Sequence, residues 1–329
     1  MVSLGGTGLQ VSSMGFGCMG VTAFYGAAME DDAAVELFKS AFEMGFKHFD
    51  TAEVYRAGDK TNEEQLGNFL KTLPRDSFTV ATKFFPGVHE GKCDQETVSA
   101  AVDASLSRLG LEYVDLYYCH RPPPTIEQAE EWMRSMKTLV ESGKVRHVGL
   151  SEYGADWIRR CHAVHPVACV QQEWSLITRG LEDTVVPVYK ELNIGVVAYS
   201  PLARNLLAGA ERPAEGDWRL NTVPRFSEEN FAKNQELVGK IAAMGEAKGK
   251  SAAQLSLAWL YHQARALGVN MIAIPGTTKV ANASSNIGAL EVQLSEQEMK
   301  DLTELGHLVA GERGNDQYKA MSLEGQQNL

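Results

Sequence analysis

The 329-residue sequence predicts an α/β fold in which eight strand–helix units close into a (β/α)8 barrel. Eight runs of Val, Ile, Phe, Tyr and Ala are apolar almost without alternation, which is typical of parallel strands buried on both faces. A stretch with helical periodicity follows most of them, and no domain-sized linker interrupts the pattern, so residues 1–329 are expected to form a single domain. The predicted strands are Met14–Gly17, Phe46–Asp50, Phe78–Phe84, Val114–His120, Val145–Ser151, Cys169–Ser175, Gly195–Pro201 and Met271–Gly276.

The remaining elements are predicted from the same patterns. A glycine-rich stretch within Val2–Val11 indicates a β-hairpin before the first barrel strand. Two stretches are too long for simple connections, the loop 204–227 and the tail from about residue 306. Long connections in compact domains are often functional, so we expect both to cover the site. The predicted helices are 31–44, 62–73, 96–109, 126–142, 156–165, 182–192 and 229–247.

Composition excludes several classes of protein. The net charge is −11 and no Lys/Arg cluster offsets it, which argues against nucleic-acid binding. No apolar run reaches the roughly 18–20 residues of a membrane helix, and no Lys or Arg precedes Lys39, so a membrane span and a targeting peptide are not expected. Five cysteines without a C-x-x-C pair are typical of reduced thiols, and His162 and His165 lack a third ligand. The sequence thus predicts a cytoplasmic protein without a metal site.

Four reactive side chains follow neighbouring predicted strands. Asp50, Lys83 and His120 end the second, third and fourth strands, and Tyr55 lies in the loop after Asp50. Taken alone, each residue is as readily explained as a helix cap, a surface residue or a packing residue as by a catalytic role. The active site of a barrel, however, lies where the strands end, and all four residues are expected there. A buried ammonium favours a phenolate, and a carboxylate holds the ammonium charged. This grouping predicts Tyr55 as a general acid and His120 as a hydrogen-bond donor to a carbonyl oxygen.

The motifs around these residues resemble the signature of the aldo-keto reductases. They are Asp50-Thr51-Ala52-x-x-Tyr55, Ala81-Thr82-Lys83 and Asp115-Leu116-x-x-x-His120. Further matches in the same order extend the resemblance over nearly the whole chain, and it is closest to plant-type and fungal members. Those matches are Gly15-Phe16-Gly17-Cys18-Met19-Gly20, Gly149-Leu150-Ser151, Gln171-x-Glu173-x-Ser175, Ala198-Tyr199-Ser200-Pro201-Leu202 and Ile274-Pro275-Gly276-Thr277-Thr278-Lys279.

The resemblance implies an NADPH/NADP+-dependent oxidoreductase with alcohol dehydrogenase (NADP+)-type activity. Hydride would pass to the carbonyl carbon of a small aldehyde or ketone while Tyr55 protonates its oxygen. Lys279 and nearby hydroxyls suit a 2′-phosphate, which favours NADPH over NADH. The resemblance implies that the carboxamide is held by Ser151 and Gln171 and that Tyr199 stacks on the nicotinamide. It implies that the pyrophosphate is lined by Ser200, Leu202 and Arg204. The adenosine end is expected to be surrounded by Thr277, Thr278, Lys279, Asn282, Ser285 and Asn286, and the rest of the cofactor site to be formed by Gly17, Cys18, Met19, Asp50 and Gly276.

Four positions depart from the common family pattern, and one of them is Asn282, where many relatives carry Arg, so Lys279 is the only cation evident near the expected 2′-phosphate. Glu152 stands where many members have Asn, and a carboxylate cannot donate to the carboxamide. Ala203 and Asn205 stand where glycine is frequent.

The predicted substrate pocket is mostly apolar. We expect it to be shaped by Phe24, Tyr25, Phe84 and Phe85, by the loop 204–227 with Trp218, and by the tail. Two alternatives remain: a cofactor-binding regulatory subunit similar to potassium-channel beta subunits, and an enzyme that uses Lys83 as a Schiff-base nucleophile. The sequence predicts neither the physiological substrate nor the oligomeric state.

Overall fold

The structure, a computed structural model, describes residues 1–326. Two short strands, β1 (Val2–Ser3) and β2 (Gln10–Val11), form an antiparallel hairpin in which Val2 pairs with Val11. The structure therefore confirms the hairpin that the glycine-rich opening predicts.

Eight parallel strands form the central sheet, and each pairs with the next in chain order. The first and last also approach one another, because the Gly15 N–H donates to the Ala273 carbonyl oxygen (3.0 Å) and the Gly17 N–H donates to that of Pro275 (3.4 Å). These bonds complete the ring, so the predicted (β/α)8 fold is confirmed. The strands are β3 (Phe16–Gly17), β4 (His48–Asp50), β7 (Thr79–Phe84), β8 (Val114–Cys119), β9 (Val145–Ser151), β10 (Val167–Glu173), β11 (Gly195–Tyr199) and β12 (Met271–Ala273), with a small hairpin of β5 (Arg56–Ala57) and β6 (Lys60–Thr61) after β4.

Helices surround the sheet. The sequence pattern did not predict α11, α12 or α13. Helix α11 is buried along nearly its whole first half, so it has no polar stripe to reveal its period, although Ser251 and Gln254 form a capping box at its start. The helices are α1 (Met19–Thr22), α2 (Asp31–Glu43), α3 (Asn62–Leu70), α4 (Gln95–Leu109), α5 (Ile126–Glu141), α6 (Ala155–Val164), α7 (Leu181–Thr184), α8 (Val186–Leu192), α9 (Trp218–Thr222), α10 (Glu228–Glu246), α11 (Ala252–Leu267), α12 (Val280–Ile287), α13 (Glu296–Gly306), α14 (Asp316–Ala320) and α15 (Leu323–Gln326).

The N-terminal hairpin seals one end of the barrel. Leu4, Leu9 and Val11 join the apolar cluster that includes Ala81, Leu116, Val197 and Ile272 of the barrel strands. A Cβ on Gly5 would lie 2.2 Å from the Ala168 carbonyl oxygen, so only glycine allows this approach. The opposite end, where the strands finish, is left for the site.

Among residues 1–326, no helix combines the length and apolar composition needed to cross a bilayer. Within the same residues, no cluster of His, Cys, Asp and Glu has the arrangement of a metal site.

Candidate active site

A buried ion pair occupies the ends of β4 and β7. Asp50 is the last residue of β4, and the Lys83 ammonium donates to its Oδ1 and to the Thr51 carbonyl oxygen (2.7 Å). The Lys83 side chain is fully buried and that of Asp50 is 3% exposed. Burial lowers the pKa of Lys83, but the charges and hydrogen bonds of Asp50 and Tyr55 together outweigh burial, and the pKa is raised. The ammonium is therefore held charged beneath the rim.

Tyr55 lies directly beside this pair. Its loop is fixed by backbone hydrogen bonds from Tyr55 N–H to Ala52 and from Asn62 N–H to Tyr55, and Lys83 Nζ lies 5.1 Å from its ring centroid. Charge and hydrogen bonding both couple the Lys83 ammonium to the Tyr55 hydroxyl.

The pKa of Tyr55 differs in direction from the sequence-based expectation. Burial raises it, Lys83 lowers it, and the net pKa is raised. The expected effect of the ammonium is present, but desolvation of the phenolate exceeds it in the protein alone. Tyr55 is thus a protonated phenol at neutral pH, the form a general acid requires.

His120 completes the cluster on the far side of Tyr55. It follows β8, and its N–H donates to the Phe84 carbonyl oxygen (2.7 Å). Its ring packs edge-to-face against Tyr55 and Phe85, with centroids 5.7 and 5.6 Å apart. Burial, together with the charges of Lys83 and Arg121, lowers its pKa well below the usual value. His120 is therefore neutral, with one ring N–H to donate.

The three residues expected at the nicotinamide end the next strands around the barrel. Ser151 is the last residue of β9, Gln171 lies in β10 and Tyr199 ends β11. The Gln171 amide N–H donates to Asp50 Oδ2 (2.8 Å), which leaves its carbonyl oxygen as an acceptor. The structure brings these residues to the same rim as Asp50.

The loop after β11 has an unusual backbone. Ser200, Ala203, Arg204 and Asn205 all have positive φ, from 46° to 74°. Ala203 and Asn205 therefore adopt the conformation that glycine favours, although neither is glycine. The backbone N–H groups of Arg204 and Asn205 donate to no described residue. Successive N–H groups in this conformation form an anion-binding concavity.

The Arg204 side chain points into protein rather than toward the groove. Its guanidinium donates to both oxygens of Glu173 (3.1 and 3.0 Å) and to the Tyr318 hydroxyl (2.8 Å), and it is 4% exposed. Nearby Leu202 is also buried. The backbone of this loop, not the Arg204 guanidinium, is available to an anion.

The residues expected at the adenosine end gather around the start of α12. Lys279 is its N-cap, and its N–H donates to the Thr277 hydroxyl (3.0 Å). Gly276 packs against β3, where a Cβ would lie 2.5 Å from the Gly17 carbonyl oxygen. Of the others, Thr278 and Asn282 are exposed, Ser285 is half-buried and Asn286 is buried.

The residues that follow β3 are more enclosed. The Cys18 side chain is fully buried, its thiol donates to the Phe16 carbonyl oxygen (3.6 Å) and its N–H donates to that of Asp50 (2.9 Å). Met19 packs beside Tyr55 in a small apolar cluster. The Cys18 side chain is therefore part of the packed interior of the protein.

The predicted aromatic pocket is correct in part. Phe24 is 50% exposed with φ +70°, and its ring centroid lies 6.4 Å from Tyr55 and 6.2 Å from Trp218. Tyr25 packs on Trp218 from the other side (6.3 Å). The expectation for Phe84 is wrong, because its side chain is fully buried and stacks on His89. Adjacent residues of a strand face opposite sides, so Phe84 points outward where Lys83 points inward.

The sequence predicts that the tail covers the site, but it does not identify the residues of the tail that contact Glu152. The Arg313 guanidinium donates to both oxygens of Glu152 (3.2 and 2.7 Å), to Glu173 (3.1 Å) and to Glu324 (2.7 Å). Tyr318 adds a hydroxyl–hydroxyl hydrogen bond to Tyr199 (2.9 Å). No local motif marks Arg313 or Tyr318, whereas Glu173 is part of the Gln171-x-Glu173 motif.

Comparisons with known proteins agree with this geometry. The profile of the Aldo/keto reductase family matches residues 13–307. Probable aldo-keto reductase 1 of Glycine max is 42% identical over 312 residues, covering 92% of this chain and 88% of that protein. Two solved structures are similar over most of their length. An aldo-keto reductase from Klebsiella pneumoniae in complex with NADPH is 25% identical with a TM-score of 0.73, covering 93% of this chain and 95% of that one. The glycerol dehydrogenase of Gluconobacter oxydans is 26% identical with a TM-score of 0.77, covering 90% and 91%. A family match of this extent and a relative of this identity show that the protein is an oxidoreductase of the aldo/keto reductase family.

Proposed function

We propose that this protein is an NADPH-dependent reductase that converts aldehydes or ketones to alcohols, an alcohol dehydrogenase (NADP+)-type activity. The observation that carries the proposal is the meeting of the Tyr55 phenol, the Lys83–Asp50 ion pair and a neutral His120 at one rim. NADPH, when bound, supplies the hydride.

Residues of the chain itself orient the carbonyl oxygen of the substrate and supply its proton. His120 donates a hydrogen bond that orients this oxygen, and Tyr55 gives it a proton. The Lys83 ammonium stabilises the phenolate left behind, and Asp50 keeps that ammonium charged and in place. Proton transfer from a positioned side chain contributes about 10²–10⁴-fold to rate.

The residues present fit the cofactor. The free carbonyl oxygen of Gln171 suits the NH₂ of a nicotinamide carboxamide, and the Ser151 hydroxyl suits its oxygen. The loop 203–205 offers backbone N–H groups to the pyrophosphate, and Thr277, Lys279 and Asn282 around the start of α12 suit the 2′-phosphate. Gly17 and Gly276 let the backbone approach closely beside them.

We further propose that the segment beyond residue 306 forms part of the wall of this site. Tyr318 bonds the hydroxyl of Tyr199, the Leu323 N–H donates to Glu152 Oε2 (3.4 Å), and the Gln326 side chain accepts from the Gly154 N–H (2.8 Å). These contacts reach the ends of β9 and β11, where the nicotinamide would lie.

The variant Tyr55→Phe tests the catalytic assignment. It removes the proton donor alone, so NADPH-dependent reduction of a benzaldehyde should fall at least about 10²-fold while the dissociation constant for NADPH, measured by quenching of tryptophan fluorescence, stays within about twofold. Tyr113→Phe is the matched control, because Tyr113 lies at the opposite end of the barrel, before β8. Undiminished turnover in Tyr55→Phe would contradict the proposal.

A further inference from the structure

A guanidinium stands between His120 and Ser151. Arg121 follows His120 directly, and its Nη1 donates to the His120 carbonyl oxygen (2.8 Å) and to the Ser151 hydroxyl (3.4 Å). Its Cζ lies 5.8 Å from the Tyr199 ring centroid. Burial lowers the pKa of Arg121, but Tyr199, Tyr318 and Glu152 outweigh it and the pKa is raised. Arg121 therefore brings a permanent positive charge to the place where the nicotinamide would bind.

The other guanidiniums enclosed near this end of the barrel are satisfied by protein. Arg204 pairs with Glu173, and Arg313 pairs with Glu152, Glu173 and Glu324. Arg225 makes no ion pair with the described residues, yet its Nε, Nη1 and Nη2 each donate to a protein oxygen. Arg121 differs, because among residues 1–326 only its Nη1 finds acceptors. Its Nε and Nη2 hydrogens are left for a bound molecule.

Glu152 cannot take this role. As a carboxylate it has no hydrogen to donate, and its oxygens already accept from Arg313, from the Tyr199 hydroxyl (2.8 Å) and from the Glu173 N–H (3.0 Å). Its backbone has φ +61°, and its side chain faces the C-terminal segment. The oxygen of a carboxamide held by Ser151 and Gln171 can accept a second hydrogen bond, which Glu152 cannot donate, and the Arg121 guanidinium lies next to Ser151.

We infer that Arg121 is a cofactor-positioning residue that donates a hydrogen bond to the carboxamide oxygen of the nicotinamide and holds a positive charge beside the ring. This inference rests on the proposed function, since it concerns the same cofactor. The charge has a second consequence. The oxidised ring is cationic and the reduced ring is neutral, so the guanidinium repels NADP+ relative to NADPH. The enzyme should bind the reduced cofactor more tightly and release the oxidised one readily.

The test measures cofactor binding rather than activity. Arg121→Met, Arg121→Lys and the exposed control Arg160→Met are titrated with NADPH, NADP+ and thionicotinamide-NADP+, with tryptophan fluorescence as the readout. Sulfur is a weaker acceptor than oxygen, so the wild type should prefer NADP+ to the thio analogue, and Arg121→Met should lose that preference by about fivefold to tenfold, the effect of one charge-assisted hydrogen bond. The preference for NADPH over NADP+ should also fall in Arg121→Met and be retained in Arg121→Lys. A general loss of structure would change all three affinities equally.

Three outcomes overturn the inference. Unchanged affinity ratios in Arg121→Met refute it while leaving the proposed function intact. Unchanged cofactor binding with an increased KM for 4-carboxybenzaldehyde but not for benzaldehyde would assign the guanidinium to an anionic substrate instead. Failure of the wild type to bind NADPH would reject the inference and the proposed function together.

Discussion

Replacing Arg313 by methionine should destabilise the protein through Glu152. Methionine keeps most of the volume of the arginine stem but leaves the Glu152 carboxylate, which is 1% exposed, without its cation. Burial raises the pKa of Glu152, but Arg313 and its other partners bring it from 4.5 down to about 2. Since one pKa unit is worth about 1.4 kcal/mol, the net effect of burial and these interactions corresponds to about 3 kcal/mol of stabilisation at neutral pH. Loss of one partner from a buried ion pair costs about 3–5 kcal/mol, in agreement.

The direction in which stability changes with pH follows from the protonation of Glu152. In the wild type, the stabilisation from Glu152 is fully present above pH 4.5 and is lost as the pH falls toward 2. In Arg313→Met, only Arg121 and the remaining hydrogen bonds of Glu152 oppose the effect of burial, so the pKa of Glu152 should rise and the folded protein should take up this proton at a higher pH than the wild type. The difference in stability between the two proteins should therefore narrow from pH 7 to pH 4.

Urea unfolding followed by far-UV circular dichroism at both pH values measures this difference. The double variant Arg313→Met/Glu152→Gln should be more stable at pH 7 than Arg313→Met alone, because position 152 then no longer carries a buried charge that has lost its partner. Arg160→Met, which removes a surface pair with Glu130, should cost less than about 1 kcal/mol. A loss below about 1 kcal/mol in Arg313→Met, or an equal loss at pH 7 and pH 4, would refute the reasoning.

Two further substitutions test the barrel seam and the pocket. A Cβ on Gly17 would lie 2.6 Å from the Ile274 carbonyl oxygen, so Gly17→Ala should lower the free energy of unfolding by about 1–3 kcal/mol in thermal or urea unfolding. The control Gly239→Ala in α10 should not destabilise the protein, because a Cβ there meets nothing within 4 Å. Equal effects of the two substitutions would contradict the close approach at Gly17. Phe24→Ala should raise the KM for benzaldehyde about fivefold to tenfold with NADPH affinity unchanged, since it removes an aromatic contact beside Tyr55. An equal change in KM for a short aliphatic aldehyde would assign Phe24 another role.

The barrel and its cluster could be predicted because both depend on local patterns. Continuously apolar runs reveal parallel strands, and residues at their ends must meet at one rim. The pattern therefore predicts that Asp50, Lys83 and His120 lie close together, although the sequence gives no distances. The expectation that both Phe84 and Phe85 shape the pocket overlooks the alternation of side chains along a strand, because Phe84 lies in the outer core.

The C-terminal contacts could not be predicted for a different reason. Arg313 and Glu152 are 161 residues apart, and no periodicity links them. Their pairing depends on where the segment after α13 returns across the barrel. The net pKa of Tyr55 likewise depends on burial, which the sequence does not give. Helix α11 was missed because uniform burial removes the stripe on which helix prediction relies.

The left-handed stretch at Ala203–Asn205 has a consequence for engineering. Glycine at either position would relieve backbone strain, yet it would also give the denatured chain more freedom to lose on folding. These effects oppose each other at about 1 kcal/mol each, so such changes should do little for thermal tolerance. They would instead remove rigidity that alanine and asparagine supply, and the loop proposed here to bind the pyrophosphate would be less ordered before the cofactor binds. Substitutions intended to raise the thermal stability of this enzyme should therefore leave residues 203–205 unchanged.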